Sequence, residues 1–375
     1  MFDRRLLANF DWVLCGIVLI ICTIGILAIH SATIGSPEMA YYKIRQLYWI
    51  VLGVGLALVT TLIDYRTLAK WGYVLHFGVI LLLVLVLLFG VGGPGTPVKR
   101  WLAVGAFFIQ PSEFSKFTLV LILAYHFREN RRIGNLGFIQ LIWPTLLVMV
   151  PFVLILEQPD LGTALLLLIV YIPIIFLVGI RKLTMLLIAF FSIISALVAW
   201  FGIPLLLDPV LKPYQQDRVL TFINPDRDPL GAGYQVIQSM IAIGSGRIWG
   251  KGFEQGTQGQ LNFLPAHHTD FIFSVFTEEW GFIGGIVILM LFLFLILWAL
   301  SSVLKTNDRS SAILVIGIVS IITSHVMINI GMVLGLMPVV GVPLPFFSYG
   351  GSSMVSMMFG IGLLLNIRMR RFQVQ

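Results

Sequence analysis

Between Leu261 and Gly281 the sequence LNFLPAHHTDFIFSVFTEEWG sets two histidines and an aspartate at the mouth of a long apolar run, with two glutamates about two turns further in. An ionisable side chain is costly in hydrocarbon, so Asp270, Glu278 and Glu279 are candidates for function, although pairing inside a helix bundle would leave the same pattern. Asp270 leads the three because it stands at a boundary that both water and bilayer reach. His267 and His268 beside it do not make a zinc site: adjacent histidines in an extended segment point apart, and no HExxH helix or CxxC pair completes one. The late segment FFSYGGSS, Phe346 to Ser353, offers serines but no base adjacent in sequence, so a serine nucleophile is unsupported.

Other polar residues recur at the edges of apolar runs. Lys99, Arg100 and Trp101 follow a Gly- and Pro-rich stretch; basic residues there suit an anionic headgroup, and equally suit interfacial anchoring. In PSEFSK, Pro111 and Ser112 make a helix start, and Glu113 and Lys116 are spaced i, i+3, where they neutralise one another and can still line a polar cavity. Glu157 and Asp160 in EQPD are pinned at a membrane face, Asp160 in position either to cap the helix LGTALLLL or to take part in a site. Lys116 is a candidate partner for Asp160 or Asp270. NPDRDPLGAG, from Asn224 to Gly233, lacks the alternating ligands and terminal Glu of a calcium loop.

The elements that must position these residues are membrane helices. With 375 residues, 58% hydrophobic and 11% charged, the chain is too apolar for a soluble globule and reads as an all-α integral membrane protein. Ten spans are predicted: Trp12–Ile29, Leu47–Ile63, Tyr73–Phe89, Pro111–Phe127, Phe138–Leu156, Leu161–Val178, Leu183–Leu206, Asp270–Leu300, Ser311–Leu334 and Leu344–Ile367. A polar stretch from 207, rich in Gly, Pro, Asp and Gln, separates the seventh from the eighth and makes a large extramembrane loop over 207–269, with an interfacial helix ending at Gly244. The eighth span exceeds the roughly 20 residues that cross hydrocarbon, so it must tilt, kink near Gly281 or project.

The net charge of +7 does not indicate nucleic acid, because the basic residues sit in short clusters between apolar runs. Arg4, Arg5, Arg66, Lys70, Arg128, Arg131, Arg132, Arg181, Lys182, Lys305, Arg309, Arg368, Arg370 and Arg371 fall on one side. The short loops of the other side carry Lys43, Arg45, Lys99 and Arg100. The positive-inside rule therefore puts both termini in the cytoplasm and Asp270 on the outer face. Cys15 and Cys22, seven apart in one helix, are too far apart for a disulfide and read as packing residues. The first run is long enough to span and has no convincing small-residue cleavage site, so it is expected to remain as an anchor. No internal repeat is visible of the kind that builds many transporters.

Taken together, QLNFLPAHHTDFIFSVFTEEWG, KRWLAVGAFFIQPSEFSK, LEQPDLGTALLL, FINPDRDPLGAGYQVIQSMIAIGSG and PLPFFSYGGSS resemble, in order and over nearly the whole chain, the signature segments of the SEDS proteins, the shape, elongation, division and sporulation family. The form QGQLNFLPAHHTDFIF looks more like the elongation branch than the division branch. The resemblance implies a peptidoglycan glycosyltransferase of the bacterial cytoplasmic membrane that polymerises lipid II, with ten transmembrane helices. It also implies a class B penicillin-binding protein and elongation-complex membrane proteins as partners. Asp270 matches the family's essential aspartate; Glu113, Lys116, Asp160 and Glu279 match polar positions of its motifs, and Arg45 and Arg100 basic ones.

For such a reaction a 4-hydroxyl attacks the anomeric carbon of a lipid diphosphate-linked disaccharide, so a base must take a proton and cations must steady the departing phosphates. Asp270 is assigned as the base. Arg45, Arg100, Lys116 and Arg218 are the candidate cations, Gln238 a further substrate-binding candidate, and a divalent cation, Mg or Mn, is compatible with the diphosphate. Going from an α-linked donor to a β-linked polymer inverts configuration, so one displacement suffices. A lipid II transporter is the alternative reading, which predicts polar residues spread through the midplane and inverted repeats.

Overall fold

The computed structural model describes residues 9–34, 41–92, 98–105, 107–129, 136–182, 184, 186, 213–228, 231–261, 263–305 and 308–370. The predicted span Leu183–Leu206, apart from Thr184 and Leu186, lies outside the described residues, as do Arg4, Arg5, Arg131, Arg132 and Arg371. Long helices dominate: α1 (Trp12–Thr33), α2 (Tyr42–Leu62), the short α3 (Tyr65–Lys70), α4 (Gly72–Phe89), α5 (Pro111–Glu129), α6 (Phe138–Glu157) and α7 (Leu161–Val178). Then come α8 (Pro213–Ile223), α9 (Ala232–Ser245), the single turn α10 (Thr257–Gln260), α11 (Ile272–Leu300), α12 (Arg309–Val333) and α13 (Gly351–Arg370). Eight of these, α1, α2, α4, α6, α7, α11, α12 and α13, are long and apolar enough to cross a membrane. Helix α5 is not among them: it carries Glu113, Lys116 and Arg128.

The bundle sorts its helices by what they bury. Helix α4 exposes most of its apolar surface, as a lipid-facing helix does, whereas α12 and α13 are mostly inside. Helix α5 runs through the centre, with Phe117, every residue from Leu119 to Ala124, and Phe127 fully or almost fully buried, and it packs on α4, α7, α12 and α13. Cys22 is buried in the same core and Cys15 lies at its edge. Close approach is possible where side chains are absent: a Cβ on Gly25 of α1 would lie 2.7 Å from the Phe347 carbonyl oxygen.

The two ends of the bundle differ. At one end Asp11 caps α1, bonds the Trp298 indole and pairs with Arg368, whose guanidinium also lies over the Trp298 ring. Asp308, Arg66, Asp64 and Arg370 meet at the same end. The other end carries a small antiparallel sheet, β1 (Val91–Gly92), β2 (Lys99–Val104) and β3 (Phe107–Ile109), with Leu102 opposite Ile109 and Val91 opposite Trp101. Sequence reading placed a loop here; the alternation in KRWLAV followed by a tight turn is a weak strand signal beside the surrounding glycines.

One span departs from expectation and another resolves it. The last helix begins at Gly351 rather than Leu344, because Pro343 and Pro345 deny their segment backbone donors and Phe346 takes a left-handed φ of 61°. Of tilt, kink and projection, the eighth span shows the kink: Gly281 has φ 68° and ψ −168° inside α11. Residues 247–252 fill the gap. Phe282 N–H donates to the Arg247 carbonyl (2.9 Å), and Lys251 and Gly252 N–H donate to the carbonyls of Glu278 and Glu279 (both 3.0 Å). The freed helix groups are thereby satisfied by a neighbouring strand of backbone, as a kinked membrane helix requires.

At Gly281 a Cβ would fall 2.3 Å from the Gly250 nitrogen and would impose a side chain on a left-handed φ. Gly281→Ala is expected to cost at least about 1–3 kcal/mol and to lower the thermal midpoint of the detergent-solubilised protein. An unchanged midpoint would show that residues 247–252 do not hold the break closed.

Candidate active site

Asp270 ends an irregular turn that feeds α11. Within it, His267 and Thr269 N–H donate to the carbonyls of Leu264 and Ala266 (both 3.2 Å), and Phe271 N–H also donates to Ala266 (3.2 Å). The two histidines serve packing and local bonding: His267 Nδ1 lies 2.6 Å from the Leu264 carbonyl oxygen, and the His268 ring stacks on Tyr42 at 4.7 Å between centroids. Desolvation and the neighbouring His267 push the His268 pKa down to about 4, so it is neutral at physiological pH. Asp270 moves the other way. Desolvation raises its carboxyl to about 6, against the pull of the Arg100 and Arg218 guanidiniums and with a further push from the Asp160 charge.

Those three charges define the site. Asp160 is buried and caps α7 as its sequence position suggests, accepting from Thr163 N–H at 3.3 Å and Thr163 Oγ at 3.0 Å; Gln110 Nε2 donates to it at 3.1 Å. Arg100, at the start of β2, reaches across to the same loop. Its Nε donates to the Gln158 carbonyl (3.2 Å), its NH2 to the Pro159 carbonyl, and its NH1 lies 3.9 Å from Asp160. Arg218 projects from α8 and is half-buried. Asp160 therefore caps α7 and at the same time places its charge where Asp270 feels it.

Several sequence candidates stand elsewhere. Lys116 does not pair with Asp160 or Asp270. It is fully buried within α5, with Nζ 3.0 Å from Glu113 Oε2 and 2.8 Å from His325 Nε2, and Ser356 Oγ bonds the same Glu113 oxygen at 3.4 Å. This cation is thus enclosed in the bundle with Glu113 and His325 as its partners. Glu279 accepts from Ser31 Oγ and packs against Gly256. Glu278 pairs with Lys251 and accepts from Thr257 N–H (2.9 Å) and Thr257 Oγ (2.8 Å), capping α10. Both glutamates anchor the 247–260 segment to α11. Arg45 is exposed near the start of α2, its guanidinium 4.5 Å from the Tyr41 ring, and Gln238 is half-buried on α9.

Sequence reading missed His325 and Asn329. Both are fully buried polar residues one turn apart on α12, and their signal was available: an imidazole and an amide at i, i+4 in a span whose other interior polar side chains are small hydroxyls. Gln46 went unremarked for the same reason; it is buried near the start of α2 and clamps the Phe346–Gly350 turn through the Ser348 carbonyl (3.1 Å) and Gly350 N–H (3.3 Å).

The family model described as cell cycle protein, FtsW/RodA/SpoVE, matches residues 11–373. The probable peptidoglycan glycosyltransferase FtsW of Trichlorobacter lovleyi is 37% identical over 96% of this chain and 93% of its own length. The peptidoglycan glycosyltransferase RodA of Treponema pallidum is 34% identical over 98% and 99%. One chain of a solved peptidoglycan synthase complex, described as coordinating polymerization and crosslinking, superposes with a TM-score of 0.79 at 35% identity over 97% of this chain and 99% of that one. A match over nearly the whole length, the order of the motif segments and the shared fold together make this chain a member of the FtsW/RodA/SpoVE family.

Proposed function

We propose that this chain, a peptidoglycan glycosyltransferase, polymerises lipid II at the outer face of the bacterial cytoplasmic membrane, with Asp270 as general base. The observation that carries the reading is the charge arrangement at the sheet-bearing end of the bundle: one carboxylate of raised pKa beside two guanidiniums and a buried, helix-capping aspartate. A base poised near neutrality is matched to taking a proton from a sugar hydroxyl. The acceptor 4-hydroxyl attacks the anomeric carbon as its proton passes to Asp270, and the bond to the lipid diphosphate breaks with inversion. Arg100 and Arg218 steady the negative charge that develops on the leaving diphosphate, and Arg45 stands at the rim as a further cation.

A Mg or Mn ion would find a hard oxygen donor in Asp160, leaving Asp270 to act as the base. Among the described residues no cluster of three or more His, Cys, Asp and Glu exists that would hold a metal alone. Such an ion would add positive charge at the leaving group.

In this reading the eight apolar helices, the central α5 and residues 183–206 make ten transmembrane helices, with both termini cytoplasmic and 207–269 outside. The clustering of Arg66, Arg368 and Arg370 at the end away from Asp270 supports that orientation. The form QGQLNFLPAHHTDFIF supports elongation and cell shape over division. The crosslinking partner is a class B penicillin-binding protein, by likeness to a chain of a synthase complex that couples polymerization to crosslinking.

Purified protein supplied with lipid II should make glycan strands. Asp270→Asn and Asp270→Ala, at unchanged thermal midpoint, should lose about 10²–10⁴-fold in rate; normal polymerisation by both would move the base to another residue or another protein. Arg100→Lys keeps the charge but loses the fork that holds the Gln158 and Pro159 carbonyls. It should cost about 10–100-fold, and Arg100→Gln more. Equal rates for the two would remove the fork geometry from the account.

A further inference from the structure

Asn329 is fully buried on α12, one turn beyond His325. Its Nδ2 lies 2.8 Å from the carbonyl oxygen of Asp270 and 2.8 Å from that of Val342, so both amide protons are committed. Neither carbonyl belongs to a helix. Ser274 N–H, the amide four residues beyond Asp270, donates to Phe271 instead (3.0 Å). Next to Val342, His325 Nδ1 lies 3.1 Å from the Pro343 carbonyl oxygen, which makes Nδ1–H the donor and leaves Nε2 to accept from Lys116. One rigid helix thus grips two irregular segments, 266–271 and 339–344, through two side chains. The second segment also touches the site: a Cβ on Gly341 would stand 3.4 Å from Asp270 Oδ2.

We infer that Asn329 is a positioning residue for Asp270, fixing the base by clamping its own backbone carbonyl to α12 and to the 339–344 segment. This rests on the glycosyltransferase reading for its consequence in rate, but not for the clamp itself. Asp270 has no helical ladder to place it, so the direction in which its carboxylate points depends on what holds its main chain. A displacement of about 1 Å in a reacting group costs on the order of 10²-fold. Leucine matches asparagine closely in size and cannot donate.

The fold supplies its own control. Asn366 on α13 is also fully buried and makes the same kind of clamp at the opposite end of the bundle, with Nδ2 2.7 Å from the Thr60 carbonyl oxygen and bonded as well to that of Ile63. The test compares full-length wild type, Asn329→Leu and Asn366→Leu in detergent. Hydrogen–deuterium exchange is followed over residues 264–275, and steady-state lipid II polymerisation is measured in parallel.

Asn329→Leu should raise exchange over 264–275 and lower kcat about 10–100-fold, with KM within about twofold of wild type. Asn366→Leu should lower the thermal midpoint by a similar amount and leave both readouts unchanged. Asn329→Ser, which keeps one donor, should fall between Asn329→Leu and wild type, and it serves if the leucine variant does not fold. Unchanged exchange at 264–275 in the Asn329 variants overturns the inference, as does an equal kcat loss in Asn366→Leu at a matched midpoint. If wild type makes no glycan, the glycosyltransferase reading fails on its own, and the exchange measurement still decides the clamp.

Discussion

A charge inside hydrocarbon must be answered by another group, and this bundle is arranged around that requirement. Glu113, Lys116, His325 and Ser356 answer one another across α5, α12 and α13. Glu278 is met by Lys251 and the start of α10, and Glu279 by Ser31 of α1. Each arrangement joins elements far apart in sequence, and breaking one partner would leave an uncompensated buried charge, which costs several times what a surface pair contributes. The same constraint sets Asp270 apart. It stands just before α11 begins, where a carboxylate can be held in a partly desolvated place with its charge balanced by guanidiniums rather than locked in a single buried pair.

The site is assembled from irregular backbone held by regular backbone. Asp270, the Gln158–Asp160 loop, the 339–344 segment and the Phe346–Gly350 turn all lie outside helices, and each is tied to a helix or strand by a side chain, Asn329, Arg100, His325 and Gln46 respectively, all buried except the half-buried Arg100. Non-helical backbone at membrane depth is tolerated only where protein or a water-lined cavity satisfies it. Here the satisfying groups also aim the charges. The break at Gly281 follows the same logic on a larger scale, since it opens α11 for residues 247–252, which carry Lys251 to Glu278.

The helical architecture was legible because apolar runs of spanning length are a strong signal: the described spans fall within a few residues of their predicted limits, apart from the start of α13. The kink in α11 could be read from its length and from Gly281, and the Glu113–Lys116 pair from spacing alone. What could not be read was which polar group meets which across the bundle. Lys116 looked free to reach an aspartate because nothing in its own segment reveals that His325, more than two hundred residues away, occupies its other side. Glu278 and Glu279 stood out as acids in an apolar run, but that the first meets Lys251 and the second Ser31 could not be read from their own segment. The proline pair at 343 and 345 carried a signal of non-helical backbone that a span drawn from Leu344 does not use.

As the proposed base, Asp270 must lose a proton before it can accept one from the sugar, and its proton affinity is set by the charges around it. The most direct measurement is the pH dependence of lipid II polymerisation by wild type and by Arg218→Gln. Because the ionised carboxylate is the active form and its pKa is raised to about 6, the wild-type rate should fall as pH drops through that value and level off above it. Removing the Arg218 charge, which holds the pKa down, should move that limb to higher pH. A rate independent of pH across this range, or a limb that stays in place or moves to lower pH in the variant, would contradict the assignment of Asp270 as the base.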